Sequence, residues 1–219
     1  MKKIQKKYLS IMLLVVFMSV ETVTANASSQ KTVLAEEVFS QEELEKIEEE
    51  IEEIDVAPLY MDKNKNGEFK INRTRSTGTY PTRAGVILVT NDAYKNLIPT
   101  GHAAIVYSSN RVIEALAKGV TVGKNNWYTS KKTCFAVTVK GTTVAQDKAA
   151  AKWCYKQIGK DYNYNYLNVN TRKRFYCSQL VWAAFKDNYK IDLNTKAFGN
   201  AIHPTELILT SKTHTIYRK

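Results

Sequence analysis

The strongest constraint on the fold of this chain is a series of short apolar runs followed by two stretches of helical periodicity. Residues 85–90 read GVILVT, rich in β-branched side chains, and end at the turn residues Asn91 and Asp92. Residues 103–107, 112–116 and 133–139 are apolar runs of similar length, so four strands are expected. Residues 144–158 then place Ala149, Ala150, Trp153 and Cys154 on one helical side, and residues 177–185 place Leu180, Val181, Ala184 and Phe185 on another. A short helix at 204–209 and a closing strand at 213–217 complete the pattern. The expectation is a mixed α+β domain, with an antiparallel sheet packed against the helix that starts at Cys177.

The N-terminal part is built differently. Lys2, Lys3, Lys6 and Lys7 precede an apolar run at 11–20, and Ala25-Asn26-Ala27 makes a small-x-small cleavage site. This predicts an export signal over residues 1–27 and a mature chain from about Ser28. A membrane anchor is the alternative, but the apolar run is short for a bilayer span. Residues 36–55 carry eleven acidic side chains against Lys46 alone, a net of −10. From residue 56 onward 26 basic residues face 9 acidic ones, a net of +17.

The acidic stretch spaces Val38, Leu44, Ile47, Ile51 and Ile54 at mostly helical steps, with Ser40 as N-cap and Glu43 three places on, and predicts one amphipathic helix. Such an arm either folds back on the basic body, where it could shade a cleft, or stands off as a solvated spacer. Residues 62–67 begin like a calcium loop, but Lys70 and Arg73 fall where oxygen ligands are needed, so a turn is the reading. The division expected is signal 1–27, acidic arm and linker 28–82, and a compact domain 83–219.

A basic body often binds nucleic acid, but export removes that target and no nucleic-acid signature accompanies the charge. Anionic wall polymers or membrane surfaces are the expected neighbours.

Three cysteines in an exported chain leave at least one unpaired. Cys177 stands at a helix start, where free backbone N–H groups and the helix dipole stabilise a thiolate. Arg172, Lys173 and Arg174 just upstream add positive charge if they fold close. Cys134 and Cys154 sit in apolar settings typical of buried thiols, and the compartment permits them to pair. A nucleophilic thiol needs a base. His102 follows Gly101 at a strand start, whereas His203 and His214 look like surface or capping residues. Glu114 is an isolated carboxylate in an apolar strand, suited to orienting an imidazole, or else an edge residue reaching solvent.

These segments resemble the NlpC-type cell-wall peptidases, a papain-like family. Tyr176-Cys177-Ser178-Gln179-Leu180-Val181 is similar to that family's Cys-Ser-x-Leu-Val nucleophile motif, and Gly101-His102-Ala103-Ala104-Ile105-Val106 to its Gly-His-x-Gly-Ile base strand, with Ala104 for glycine. Arg83-Ala84-Gly85-Val86 resembles its Arg-Pro-Gly-Asp element, with Ala84 and Val86 departing. Gly159-Lys160-Asp161-Tyr162 resembles its Gly-x-x-Tyr element, which supplies a tyrosine near the oxyanion. Here the histidine motif precedes the cysteine motif, the order of the circularly permuted branch that holds the YiiX-like hydrolases and the related lecithin:retinol acyltransferase group.

The resemblance, over residues 83–217, implies a permuted papain-like fold and a thiol hydrolase. It assigns Cys177 as nucleophile, His102 as base and Glu114 as its orienting partner, with Tyr162 and Ser178 on the oxyanion or substrate. No metal or cofactor is expected. A peptide amide of the cell wall is the expected substrate, a lipid ester or amide the alternative, and an idle wall-binding module the third class.

Overall fold

The computed structural model describes residues 32–54, 78–92 and 101–219. The expected export signal, the 62–67 turn and the first part of the linker lie outside the described residues. Six strands form one antiparallel sheet: β1 (Ile87–Thr90), β2 (His102–Ser108), β3 (Arg111–Leu116), β4 (Gly119–Lys124), β5 (Phe135–Val139) and β8 (Thr213–Arg218). Their spatial order is β4-β3-β2-β1-β5-β8. A two-stranded parallel piece, β6 (Asp161–Tyr162) and β7 (Arg174–Phe175), stands apart. The helices are α1 (Ala35–Val38), α2 (Gln41–Glu52), α3 (Trp127–Ser130), α4 (Val144–Tyr155), α5 (Cys177–Tyr189) and α6 (Glu206–Leu209). Among the described residues, no helix is long and apolar enough to cross a membrane.

Strand alternation divides the apolar residues between two cores. Ile87, Val89, Ala103, Ile105, Ile113 and Val137 face α4 and α5, while Val86, Leu88, Ala104, Val106, Val112 and Ala136 face Trp127 and Ile216. The sheet is therefore buried on both sides, which is why its central strands read as continuous apolar runs. Cys154 lies in the first core and Cys134 in the second, and all three cysteines are free thiols. The expected option of a Cys134–Cys154 bridge is overturned, because the sheet stands between them.

Helix α4 starts at a capping box in which Thr143 Oγ1 accepts from the Gln146 N–H and Gln146 Oε1 accepts from the Thr143 N–H. Its register differs from the sequence reading. Ala149 is exposed, and Asp147 and Ala151 join Ala150 and Cys154 on the buried side. Asp147 is held there by Arg83 at 2.6 Å and by Thr142 at 2.6 Å. Gly85, with φ +91°, passes so close to Asp147 that a side chain would collide with it, so the Arg-x-Gly element works by tying the entry of β1 to α4.

The acidic arm forms two helices rather than one, because the chain turns at Phe39 and Ser40 and drives Phe39 inward. Ser40 occupies the N-cap but makes no side-chain cap bond. Ala35, Phe39, Leu44, Ile47 and Ile51 are all buried in the core shared with α4 and α5. The Phe39 ring meets Tyr166, Phe198 and His203 edge-on at 5.5, 5.1 and 5.0 Å. Arg218 donates to the carbonyls of Glu52 and Ile54. Residues 78–82 are more than a linker: Gly78 bridges Tyr217, and the Tyr80 hydroxyl binds Asn125 at 2.7 Å.

Candidate active site

Cys177 is the first residue of α5, which packs on β2 and β3. The N–H groups of the first helical turn have no partner four residues back in the helix, so the sulfur sits at the positive end of the dipole. His102 opens β2, and Glu114 lies on the neighbouring β3, where the register sets it opposite Ala104. His102 and Glu114 therefore share a sheet face two residues apart along β2, and His102 Nε2 is 2.7 Å from Glu114 Oε2. The Cys177 thiol lies close enough to the His102 ring to favour its protonated form. With Nε2 committed to the carboxylate, Nδ1 is the nitrogen left for sulfur.

Cys177 and His102 are each 2% exposed. Burial works against a charged imidazole, but Cys177 and then Glu114 outweigh it and raise His102 from 6.5 to about 9. Among sequence-expected partners, the structure thus brings Cys177, His102 and Glu114 into one chain of contacts. Glu114 is not an edge residue, since β4 lies beyond β3.

Tyr162, on β6, is buried; among the described residues its hydroxyl has no well-aligned hydrogen-bond acceptor or donor, its neighbour being the Tyr166 hydroxyl. Burial, and next the charge at Cys177, push its ionisation well above the ordinary range, so it remains an O–H donor beside the thiol. Ser178 departs from expectation. Its hydroxyl is fully buried and donates to the Ile202 carbonyl at 2.7 Å, because α5 turns this residue away from Cys177 and into the core. The Tyr176 hydroxyl accepts from the Ile202 N–H at 3.1 Å, so both sides of this peptide segment are pinned to the start of α5.

His203 is also not a surface residue. It is fully buried between Phe39 and Phe198, and its Nδ1 meets Thr205 Oγ1 at 2.6 Å. His214 is exposed, as expected. Arg172 is turned to Asp187 in a two-point pair of 2.6 and 2.8 Å, so its charge is matched there rather than aimed at the thiol. Burial raises the other two thiols, Cys134 to about 12 and Cys154 further.

Three contributors escaped the sequence reading. Trp127 stacks on the His102 ring at 5.4 Å, from a four-residue helix with no periodicity to reveal it. Gly123 on β4 leaves the space taken by the Glu114 carboxylate, since a Cβ there would strike Oε1. Gln179 is a buried hub: its Oε1 accepts from the Tyr176 N–H and from Asn163 Nδ2, and its Nε2 donates to the Val169 carbonyl at 3.1 Å. It ties the residue before the nucleophile to the segment after Tyr162. A polar side chain on an otherwise apolar helix face was the available signal.

A buried thiol beside an imidazole, itself bonded to a carboxylate and flanked by unspent N–H and O–H donors, has the parts for nucleophilic acyl transfer. The family model described as "permuted papain-like amidase enzyme, YaeF/YiiX, C92 family" matches residues 86–210. The chain belongs to this family. The match takes in Cys177, His102, Glu114 and Tyr162, and leaves the arm outside.

Two relatives agree with this permuted papain-like assignment. The uncharacterized protein YycO of Bacillus subtilis (strain 168) is 29% identical over 150 residues, 64% of this chain. The chain spans 59% of that relative's length. The crystal structure of metalloprotein YiiX from Escherichia coli O157:H7 shares the fold at a TM-score of 0.51 and 15% identity, covering 63% of this chain and 98% of the other. Among the described residues here, no group of three or more His, Cys, Asp or Glu is arranged to hold a metal ion.

Proposed function

We propose that the protein is an exported cysteine amidase that cleaves a peptide amide of cell-wall peptidoglycan through an acyl-enzyme on Cys177. The observation that carries this reading is the continuous contact from Cys177 through His102 to Glu114, sealed from water inside an amidase-family fold. The Cys177 sulfur, its proton already held on His102 Nδ1, attacks the carbonyl carbon as a thiolate. The Cys177 N–H and the Tyr162 hydroxyl meet the oxyanion. The imidazolium then gives its proton to the departing amine, and water deprotonated by His102 hydrolyses the thioester and restores the thiol. Glu114 holds the imidazole in the tautomer with its proton on Nε2 and stabilises the cation. The basic leader followed by an Ala25-Asn26-Ala27 site supports export, and export supports a wall substrate.

Mass spectrometry of wall fragments after incubation with the protein and with Cys177→Ala tests this reading. New amine termini in muropeptides with the first and none with the second are expected. Intact muropeptides alongside released fatty acid from phospholipid would replace the peptide substrate by a lipid one.

A further inference from the structure

The outer face of α4 takes no part in the site. Lys148, Lys152 and Lys156 recur on it at four-residue steps, all exposed. Between and beside them stand Val144, Tyr155 and Ile158, at 63%, 45% and 39% exposure, three of the seven large apolar side chains exposed among the described residues. The helix has one acidic residue, Asp147, which is turned inward onto Arg83 and Thr142. Among the described residues, none of the three lysine ammonium groups makes a hydrogen bond or ion pair. Lys152 and Lys156 complement the C-terminal end of the helix dipole, but that accounts neither for Lys148 nor for Val144 and Ile158, and Tyr155, stacked on Tyr107 at 4.7 Å on one side, leaves the rest of its ring exposed.

The face continues past the helix. Val120 N–H donates to the Lys160 carbonyl at 2.8 Å and Gly159 N–H to the Val120 carbonyl at 3.0 Å, which lays the β3–β4 turn and its exposed Lys118 beside Ile158. Residues 158–160, at the end of this face, lead into β6, which carries Tyr162, so the face adjoins the site.

We propose that this face docks the protein on an anionic phospholipid surface, with the lysines on headgroup phosphates and Val144, Tyr155 and Ile158 in the headgroup boundary. Lysines alone would suit any polyanion. The interleaved apolar side chains select a membrane, because a hydrated polymer offers them nothing while a bilayer boundary removes them from water. The proposal does not depend on the chemistry assigned to Cys177.

Co-sedimentation with phosphatidylglycerol and with phosphatidylcholine vesicles tests it. The chain from Ser28 is the form to use, since it carries every described residue and lacks the apolar run at 11–20, which would bind bilayers by itself. Binding to phosphatidylglycerol is expected, and a triple Lys148→Gln, Lys152→Gln, Lys156→Gln variant should bind about a hundredfold more weakly, at roughly one headgroup interaction per lysine. Tyr155→Ser with Ile158→Ser should weaken vesicle binding while leaving binding to soluble polyphosphate unchanged. Vesicle binding by either variant equal to that of the unsubstituted chain overturns the proposal. So does binding to polyphosphate as tight as to vesicles with no effect of the serine pair, which would make the face a reader of soluble polyanions.

Discussion

A buried imidazole resists protonation, and His102 is protonated only because the thiol and the carboxylate on either side outweigh the loss of water. Its value in the folded chain, about 9, lies above the ordinary 6.5, so the stability it contributes is complete below pH 6.5 and is lost as pH rises through 9. Thermal unfolding of the protein should therefore shift to lower temperature between those pH values, and His102→Gln should remove most of that slope. An equal slope in both would place its origin in other groups. Turnover should fall above about pH 9, as the cation that protonates the leaving amine disappears. Gly123 sets the carboxylate that this depends on. Gly123 has no positive φ to preserve, and the atom a methyl would strike is the free end of Glu114, so Gly123→Ala should fold well while pushing the carboxylate off His102. The expected signature is a lower His102 pKa by NMR titration and at least a tenfold loss of turnover, about one hydrogen bond to a charged group. An unchanged titration would mean that Glu114 has room elsewhere.

At the scale of elements, the arm shows how a charged segment docks without using its charge. The ion pairs of the arm, among the described residues, join Lys46 to Glu42 and Glu43 within α2. What faces the domain is Leu44, Ile47 and Ile51, behind Phe39. The acidic side chains of this stretch that the structure describes thus form a largely solvated outer face, and attraction to the basic body is not what seats it. Raising the salt concentration should leave hydrogen exchange of residues 41–52 unchanged, since screening weakens exposed charge pairs but not apolar contact. Ile47→Ala should cost about 2–5 kcal/mol of unfolding free energy, as expected for a core position, and should do so in a single transition with the sheet. A separate early transition for the arm, loosened by salt, would restore the charge-docked picture.

For the whole molecule, the central fact is a sheet buried on both faces, which isolates what lies on each side. Cys134 and Cys154 are held apart by it, so the protein should titrate as three thiols once denatured, and reductant should leave its melting temperature unchanged. Two thiols fewer, or a reductant-sensitive melting point, would contradict this packing. The same sheet explains which parts of the site were legible beforehand. Cys177 at a helix start, His102 at a strand start and Glu114 isolated in an apolar strand are local facts, written in periods of 3.6 and 2 that a sequence carries openly. The swapped order of the histidine and cysteine motifs pointed to the permuted family in the same way. Strand β4 was missed because GVTVGK, glycine at its first and fifth positions, lacks the apolar weight of its neighbours. The Ser40 N-cap marked the start of α2, but the separate turn of α1 before it was missed because four residues are too few to show a period. Ser178 turning to Ile202, His203 buried against Phe39, Gln179 binding Asn163 and Gly123 yielding to Glu114 join residues far apart in the chain. The sequence by itself determined most of the strands and the two long helices of the domain, and singled out Cys177, His102 and Glu114, because periodicity and helix ends are local properties. Only the tertiary structure decided which side chains face one another, because that follows from the strand order β4-β3-β2-β1-β5-β8 and from the packing of α5 upon it.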